Sequence, residues 1–395
     1  MKSLANQAIN QGEGILLLVP NWIPRTFNRP AHRLKLHPDD YTALGIKRGS
    51  IVERWFTATS PTAHAVGAPE DEGMSYVYVD GEKILLKTVI EELGAELIGP
   101  DLMDRYGKWP MFSKFYDYEF SSFHHLHHTQ EAASCVGATM KPEAYYFPFQ
   151  MNMQTAYPLA YTFFGFDPSV SKEEIIERLL RFEERDNRIT ELSRAFRLEM
   201  GTGWYVPPGT LHACGSLCTY EPQWNSDVYS VWENNPSGEA QEYSSFASSV
   251  PEGKERDVEY IYSLMNSEVN FDPEFRKKYF RRPLIDEETE AYSQKWITYG
   301  NPYFGGKELT VYPGQTAVIK DDAAYGTILI QGYGTFGSFR AESPQVIRFG
   351  QQTNDEFFVS ESKAKEGVVV KNLSSEPMVF LKHFANNCGM PEVSI

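Results

Sequence analysis

The most constraining feature of the sequence is the segment GTGWYVPPGTLHACG at residues 201–215. Aromatic and apolar residues before Pro207 favour a strand, and the proline and glycine that follow favour a tight turn. A second strand that starts after this turn carries His212 and directs its side chain inward. The segment therefore predicts a strand–turn–strand unit with a histidine facing the protein interior.

Strand-like runs dominate the rest of the chain. Alternating apolar and aromatic residues fill most of the stretch from Trp109 to Thr162, and similar runs return after residue 200 and through residues 300–395. We therefore predict a mainly β protein. Because 395 residues exceed the usual size of one hydrophobic core, more than one β module is expected.

Two regions break this pattern with helical spacing. The first, at about residues 168–200, opens with a capping box at Ser171 and Glu174 and repeats apolar residues as far as Phe196. The second, at about residues 251–295, is charged and is predicted to be mostly helical. We interpret them as a helical insertion and a helical bridge.

Charge excludes several classes of partner. The chain has 53 acidic and 37 basic residues, a net charge of −16, which repels nucleic acid and anionic membranes. No targeting segment or membrane span is evident, because the apolar run ILLLVP at residues 15–20 is too short to cross a bilayer. Four cysteines without a dense disulfide pattern favour a reduced, cytoplasmic protein.

Four of the nine histidines lie together in SSFHHLHHTQE, residues 121–131. On a strand, alternate side chains share one face, so His125 and His127 point one way while His124 and His128 point the other. Two imidazoles two residues apart can bind one metal ion. We predict His125 and His127 as ligands, and His124 and His128 as solvated or hydrogen-bonded bystanders.

Further ligands must come from elsewhere in the chain. The spacing from Gly201 through Pro207 and Gly209 to His212 fits the second metal-binding signature of cupin barrels. Glu143 begins a strongly β segment, whereas Glu131 lies at the ordinary cupin spacing after the paired histidines. Three imidazoles and one carboxylate leave coordination positions open for substrate, but the spacing alone does not choose between the two acids.

These motifs resemble those of the type I mannose-6-phosphate isomerase family of the cupins, and they occur along the chain in the same order. The similarity rests on five segments: SIVERWFTATSP, GKWPMFSKFYDYEFSSFHHLHH, KPE at residues 141–143, VPPGTLHACGSLCTYEPQWNSDV, and the tail from TILIQGYG to FLKHF. The resemblance covers most of the chain. It implies two cupin barrels, with a catalytic metal-binding cupin at residues 1–295 and a metal-free cupin at residues 296–395.

Carried over residue by residue, the resemblance implies a Zn²⁺ site, although another divalent metal is possible. Its ligands would be His125, His127, Glu143 and His212, with Glu143 preferred over Glu131. Lys141 and Asp227 match polar active-site positions of the family, and Lys114 matches the lysine of its FLFK segment.

Three departures from the family pattern bear on the substrate. His125 stands where the family has Gln, and His128 stands where it has Pro. The family's arginine after the NSDN motif is also missing, because no arginine lies between Arg197 and Arg256. Because this arginine is missing, the substrate could be an unphosphorylated sugar or another sugar derivative instead of a sugar phosphate.

The predicted function is metal-dependent aldose–ketose isomerisation of a sugar or sugar phosphate by enediolate proton transfer, with a small carbohydrate as the partner. The metal would polarise the carbonyl, and Lys141 would move the proton if the nearby cation depresses its pKa. Glu221 and Asp227 are further candidates for the proton transfer. Two other classes of function remain: a sugar-binding or sensor cupin without turnover, and an Fe(II) cupin oxygenase.

Overall fold

The computed structural model describes residues 3–62, 67–152 and 160–393. Strands hold 32% of the residues and helices 21%, which confirms the predicted mainly β class. The helices are α1 (Leu4–Gln11), α2 (Leu86–Leu93), α3 (Ala95–Ile98), α4 (Pro100–Tyr106), α5 (Gln130–Ser134), α6 (Lys172–Leu180), α7 (Tyr243–Phe246), α8 (Val258–Ser263), α9 (Ser267–Asn270), α10 (Phe275–Tyr279) and α11 (Glu361–Glu366). The strands are β1 (Ile15–Leu17), β2 (Asn21–Arg25), β3 (Ser50–Phe56), β4 (Tyr76–Val79), β5 (Glu82–Leu85), β6 (Met111–Tyr116), β7 (His125–Leu126), β8 (Glu143–Tyr146), β9 (Tyr161–Phe166), β10 (Ser193–Arg197), β11 (Gly203–Val206), β12 (His212–Ala213), β13 (Thr219–Trp224), β14 (Ser230–Val231), β15 (Phe280–Arg281), β16 (Leu284–Glu288), β17 (Tyr292–Thr298), β18 (Phe304–Val311), β19 (Thr316–Ile319), β20 (Tyr325–Gln331), β21 (Tyr333–Phe336), β22 (Phe339–Glu342), β23 (Glu356–Val359), β24 (Val368–Asn372) and β25 (Met378–Ala385).

Two antiparallel sheets carry the predicted site residues. One has seven strands in the order β15-β11-β8-β13-β6-β3-β2, and the other has five in the order β10-β9-β12-β7-β14. The histidine-bearing strands β7 and β12 are central in the smaller sheet, while β8, which begins at Glu143, is central in the larger one. Side chains from both sheets can therefore meet in one place.

The C-terminal part of the chain forms a second pair of antiparallel sheets. One has the order β1-β23-β20-β25-β18-β17-β16 and the other β19-β24-β21-β22. The N-terminal strand β1 joins the former by pairing with β23, and β17 spans residue 295. The division into modules at residues 295 and 296 stays a prediction.

Apolar packing joins the two pairs of sheets. Phe56, Phe115 and Tyr220 from the first pair share a buried cluster with Ile328 and Leu381 from the second. Burial of large apolar side chains is the main favourable contribution to folding, at roughly 25 cal/mol per Å². The sheets that carry the site therefore pack directly against the C-terminal pair.

A buried histidine adds a polar link at the same junction. The His383 Nδ1 atom lies 2.7 Å from the Tyr220 hydroxyl, and its Nε2 atom lies 2.7 Å from Thr57 Oγ1. Both ring nitrogens therefore have partners. Burial lowers the pKa of His383 to about 3, so the ring is neutral at physiological pH.

The predicted insertion is helical only in its first part. The capping box at Ser171 and Glu174 is present, but α6 ends at Leu180, and Ser193–Arg197 forms strand β10. The prediction of helix as far as Phe196 is therefore wrong. The apolar residues in the second part are buried through turns and sheet pairing with β9, which overrides their helical spacing. None of the described helices has the length and apolar character needed to cross a membrane.

Replacing Ser171 with Ala is expected to lower the free energy of opening of α6 by about 1 kcal/mol, because the side chain that accepts from the Glu174 backbone N–H is lost. Native-state hydrogen exchange at the amides of Ile175 and Leu179 measures this change. Glu174→Gln keeps the reciprocal acceptor and is the matched control, with a smaller expected effect. Equal hydrogen-exchange protection of these amides in Ser171→Ala and in the parent protein would contradict the role of Ser171 as the N-cap of α6.

Candidate metal centre

Strand pairing brings three histidines together. His212 on β12 lies directly opposite His125 on β7, and His127 follows two residues after His125. The ring centroids of His125 and His212 are 4.2 Å apart, and that of His127 lies 4.9 Å from His125 and 5.2 Å from His212. One ligating atom from each imidazole lies within 4.8 Å of the other two, which is suitable for a shared metal ion.

A carboxylate from the opposing sheet faces this triad. Glu143 Oε2 lies 3.1 Å from His127 Nε2, and its Oε1 lies 3.0 Å from His212 Nε2. Ligands bonded to one tetrahedral ion at about 2.1 Å are separated by roughly 3.4 Å, so these distances fit a common centre. The hydroxyl of Tyr145 donates to Glu143 Oε1 at 2.7 Å and holds the carboxylate in place.

Backbone carbonyls set the tautomer of all three imidazoles. The Nδ1 atom of His125 lies 3.0 Å from the Phe123 carbonyl, that of His127 lies 2.8 Å from the Val228 carbonyl, and that of His212 lies 2.9 Å from the Thr210 carbonyl. A carbonyl only accepts, so each Nδ1 carries the proton and each Nε2 keeps its lone pair. Metal-binding histidines are oriented in this way.

The centre is buried, and this favours neutral imidazoles. His125, His127 and His212 are 8%, 5% and 1% exposed. Burial, followed by the neighbouring His212 and His127, holds the pKa of His125 well below its usual value, and burial with the charge of Lys141 lowers the pKa of His127 to about 4. His212 Nε2 accepts no hydrogen bond among the described residues, and the oxygen that lies 3.0 Å from it, Glu143 Oε1, is itself an acceptor. The three histidines and Glu143 thus fit a divalent cation.

The remaining residues of the histidine run point elsewhere. His124 Nδ1 lies 2.7 Å from Glu233 and its Nε2 lies 2.8 Å from Ser193 Oγ, so it is a hydrogen-bonded bystander as predicted. His128 is fully buried, and neither ring nitrogen has a partner among the described residues. The expectation that it would be solvated or hydrogen-bonded is therefore wrong. Glu131 is exposed on α5, away from the triad.

A cavity of about 460 Å³ opens beside the centre, and the residues predicted to take part in proton transfer lie in its wall. Lys141, Glu221 and Asp227 all line it. The ammonium of Lys141 lies 3.1 Å from His127 Nε2 and 3.5 Å from Glu143 Oε2, so it is in direct contact with the predicted ligands. Asp227 is exposed, whereas Glu221 and Lys141 are buried.

The predicted Lys114 forms an ion pair with Glu221. The two residues lie opposite each other on β6 and β13, and Lys114 Nζ is 3.1 Å from Glu221 Oε1. Burial and the negative charge of Glu143 raise the pKa of Glu221 despite this lysine. A carboxyl with a raised pKa can exchange a proton near neutral pH more easily than an ordinary one.

Sequence reasoning missed a second ion pair in the cavity wall. Arg25 on β2 contacts Glu53 on β3 through two hydrogen bonds of 3.0 and 3.1 Å, and both residues line the cavity together with Trp55. The available signal was the charged pair Glu53 and Arg54 within the otherwise apolar strand SIVERWF. Strand pairing places Glu53 at the cavity.

Comparisons with known proteins agree on the fold. Mannose 6-phosphate isomerase from Bacillus subtilis has a similar structure, with a TM-score of 0.61, 17% identity, and coverage of 94% of this chain and 99% of that one. A variant of phosphomannose isomerase from Salmonella typhimurium gives a TM-score of 0.62 at 11% identity, covering 94% and 100%. A zinc-bound mannose 6-phosphate isomerase gives 0.62 at 11% identity, covering 94% and 99%. No protein-family model and no curated protein sequence matches the chain.

Fold and site together define a mainly β protein with a buried cluster of three histidines that can hold a metal ion. More particularly, the chain has the fold of the mannose 6-phosphate isomerases over 94% of its length. The resemblance predicted from the sequence motifs is therefore confirmed at the level of the fold.

Proposed function

We propose that the protein is a metal-dependent aldose–ketose isomerase acting on a sugar. The observation that carries this proposal is the convergence of His125, His127, His212 and Glu143 at the side of a cavity of about 460 Å³. A cavity of this size accommodates a monosaccharide. The shared fold with mannose 6-phosphate isomerases, one of them zinc-bound, supports the reaction class by analogy.

The proposal includes the finer architecture and the ligand set. The four sheets would close as two cupin barrels, with the metal-binding barrel within residues 1–295 and the metal-free barrel within residues 296–395. His125, His127, Glu143 and His212 would hold Zn²⁺, because three imidazoles and one carboxylate suit this ion. The same donors also suit Fe(II), so metal analysis of protein purified without added metal distinguishes the two.

A bound divalent cation would supply Lewis-acid polarisation of a carbonyl oxygen and so acidify the neighbouring C–H bond. The chain's own residues would position the open-chain sugar and move the proton between C1 and C2. Lys141 is the first candidate because its Nζ atom is next to the ligand atoms. Glu221 and Asp227 line the same cavity, where a carboxylate can accept a proton from a sugar oxygen and later return it.

Lys141→Met is expected to lower kcat by at least about a hundredfold, because a general acid–base group contributes roughly 10²–10⁴-fold. Metal content should stay the same, since removal of a cation beside His127 does not weaken metal binding. Turnover and metal content are measured on the same preparation. Lys108→Met, at an exposed site outside the cavity, is the control and should retain full activity. An unchanged kcat in Lys141→Met would exclude Lys141 from proton transfer.

Removal of the metal tests the proposed function directly. Dialysis against a chelator should abolish aldose–ketose interconversion, and added Zn²⁺ should restore it. Activity that survives complete metal removal would overturn the proposal. Saturable sugar binding without turnover in the metal-loaded protein would indicate a binding cupin, and oxygen consumption by iron-loaded protein would indicate an oxygenase.

A further inference from the structure

We infer that the cavity selects an unphosphorylated carbohydrate. This inference rests on the proposed function, because it concerns the substrate of the same site. The observation behind it is the charge of the described cavity wall: each cationic side chain that lines the cavity already has a carboxylate partner. A phosphate dianion would need cations that are free to pair with it.

Three of the five N–H donors of Arg25 are engaged within the protein. Its Nε and Nη2 atoms donate to the two oxygens of Glu53 at 3.0 and 3.1 Å, and its Nη1 atom donates to Thr62 Oγ1 at 3.2 Å. Glu53 also accepts from Trp55 Nε1 at 2.8 Å and from the Tyr118 hydroxyl at 2.6 Å. The Nε–Nη2 edge, one of the edges with which arginine binds phosphate in a bidentate way, is therefore occupied by Glu53.

The other three cations are paired as well. Lys114 is 3.1 Å from Glu221, Lys141 is 3.5 Å from Glu143, and Arg48 forms an ion pair with the half-buried Glu72. One buried donor, Nε of Arg48, has no partner among the described residues. A single donor of this kind suits a neutral hydroxyl or carbonyl oxygen of a sugar.

Acidic side chains outnumber the cations in the described wall. Four cations face six carboxylates, namely Glu53, Glu143, Glu221, Asp227, Glu239 and Glu242. With Glu221 ionised against Lys114, a divalent metal would bring the cavity close to neutrality, so an added phosphate dianion would remain uncompensated. Glu239 and Glu242 are exposed, which adds repulsion where a ligand enters.

Aromatic side chains favour a neutral sugar in the same cavity. Phe27, Trp55, Tyr118, Phe123 and Tyr229 line it. Phe27, Phe123 and Tyr229 are partly exposed, and the rings of Phe27 and Phe123 pack against each other with centroids 4.7 Å apart. Rigid aromatic faces bind the apolar C–H faces of a sugar ring at low entropic cost.

The test compares free aldohexoses with their 6-phosphates on the zinc-loaded protein. Affinity is measured by calorimetry, and turnover is followed by NMR. We expect the free sugars to bind and react at least about tenfold better. Preference for a 6-phosphate, or no response to any free sugar, would overturn the inference. Free-sugar binding without turnover would support it while overturning the isomerase proposal, so the two failures are distinguishable.

A charge variant tests the role of the acidic entrance. Glu239→Gln combined with Glu242→Gln should raise the affinity for the 6-phosphates relative to the affinity for the free sugars by at least about threefold, because two negative charges at the entrance are removed. Glu92→Gln combined with Glu96→Gln is the matched control, because both residues are exposed, lie outside the cavity and give the same change in net charge. Equal gains in the two double variants would assign the effect to net charge and contradict a local role.

Discussion

His212→Ala is expected to lower metal affinity by at least about a hundredfold and to abolish turnover. Loss of an outer hydrogen-bond partner alone typically costs 10–100-fold in metal affinity, so loss of a direct ligand should cost no less. The side chain is 1% exposed and its Nε2 atom lies 3.0 Å from Glu143 Oε1, so its removal opens a buried gap within the proposed ligand set. Competition with a chromophoric chelator measures the affinity, and elemental analysis measures the metal content.

His125→Gln is the matched control for this variant. Gln stands at the corresponding position in the isomerase family that the sequence resembles, and an amide oxygen can bind a divalent metal. Metal content should therefore stay near that of the parent protein, with affinity lowered by no more than about tenfold. Full metal binding by His212→Ala, with a folded structure, would contradict the proposed ligand set.

Arg54→Met is expected to lower the free energy of unfolding by about 3–5 kcal/mol, because removing one partner of a buried ion pair leaves uncompensated charge. The guanidinium of Arg54 lies 2.8 and 2.9 Å from the two oxygens of Asp355, and 3.3 Å from Glu356 Oε2. All three residues are buried, and they join β3 of the site-bearing sheet to the C-terminal sheet. Chemical denaturation measures the change.

Arg340→Met provides the control for Arg54→Met. Arg340 pairs with Glu342 at 3.1 Å, but the two side chains are 75% and 52% exposed. Exposed ion pairs contribute about 0–1 kcal/mol, so this variant should be nearly as stable as the parent. Similar losses in both variants would show that burial does not govern the effect.

The clustering of the three histidines was predictable from sequence in part, because strand geometry fixes which side chains share a face. His125 and His127 lie two residues apart, and the turn before His212 sets the register that places it opposite His125. Glu143 required the resemblance to the isomerase family, because spacing alone fitted Glu131 equally well. The structure places Glu143 against two of the imidazoles and Glu131 on an exposed helix.

Other features depend on contacts between distant segments and were not predictable. Glu53 meets Arg25 only because β2 and β3 pair, and no local pattern specifies which charged residue of a strand faces a cavity. The segment after Leu180 has helical spacing, yet Ser193–Arg197 pairs with β9 and forms a strand. Tertiary packing overrides local propensity in such segments.

Deuterium incorporation into a sugar tests directly whether the protein is a metal-dependent isomerase that works by proton transfer. The zinc-loaded protein is incubated in deuterated buffer with a panel of free and phosphorylated aldoses and ketoses, and the products are followed by NMR. We predict interconversion of a sugar pair with deuterium entering at C1 or C2, and loss of this exchange after chelation. Absence of both interconversion and exchange with every sugar, in protein that holds its metal, would contradict it.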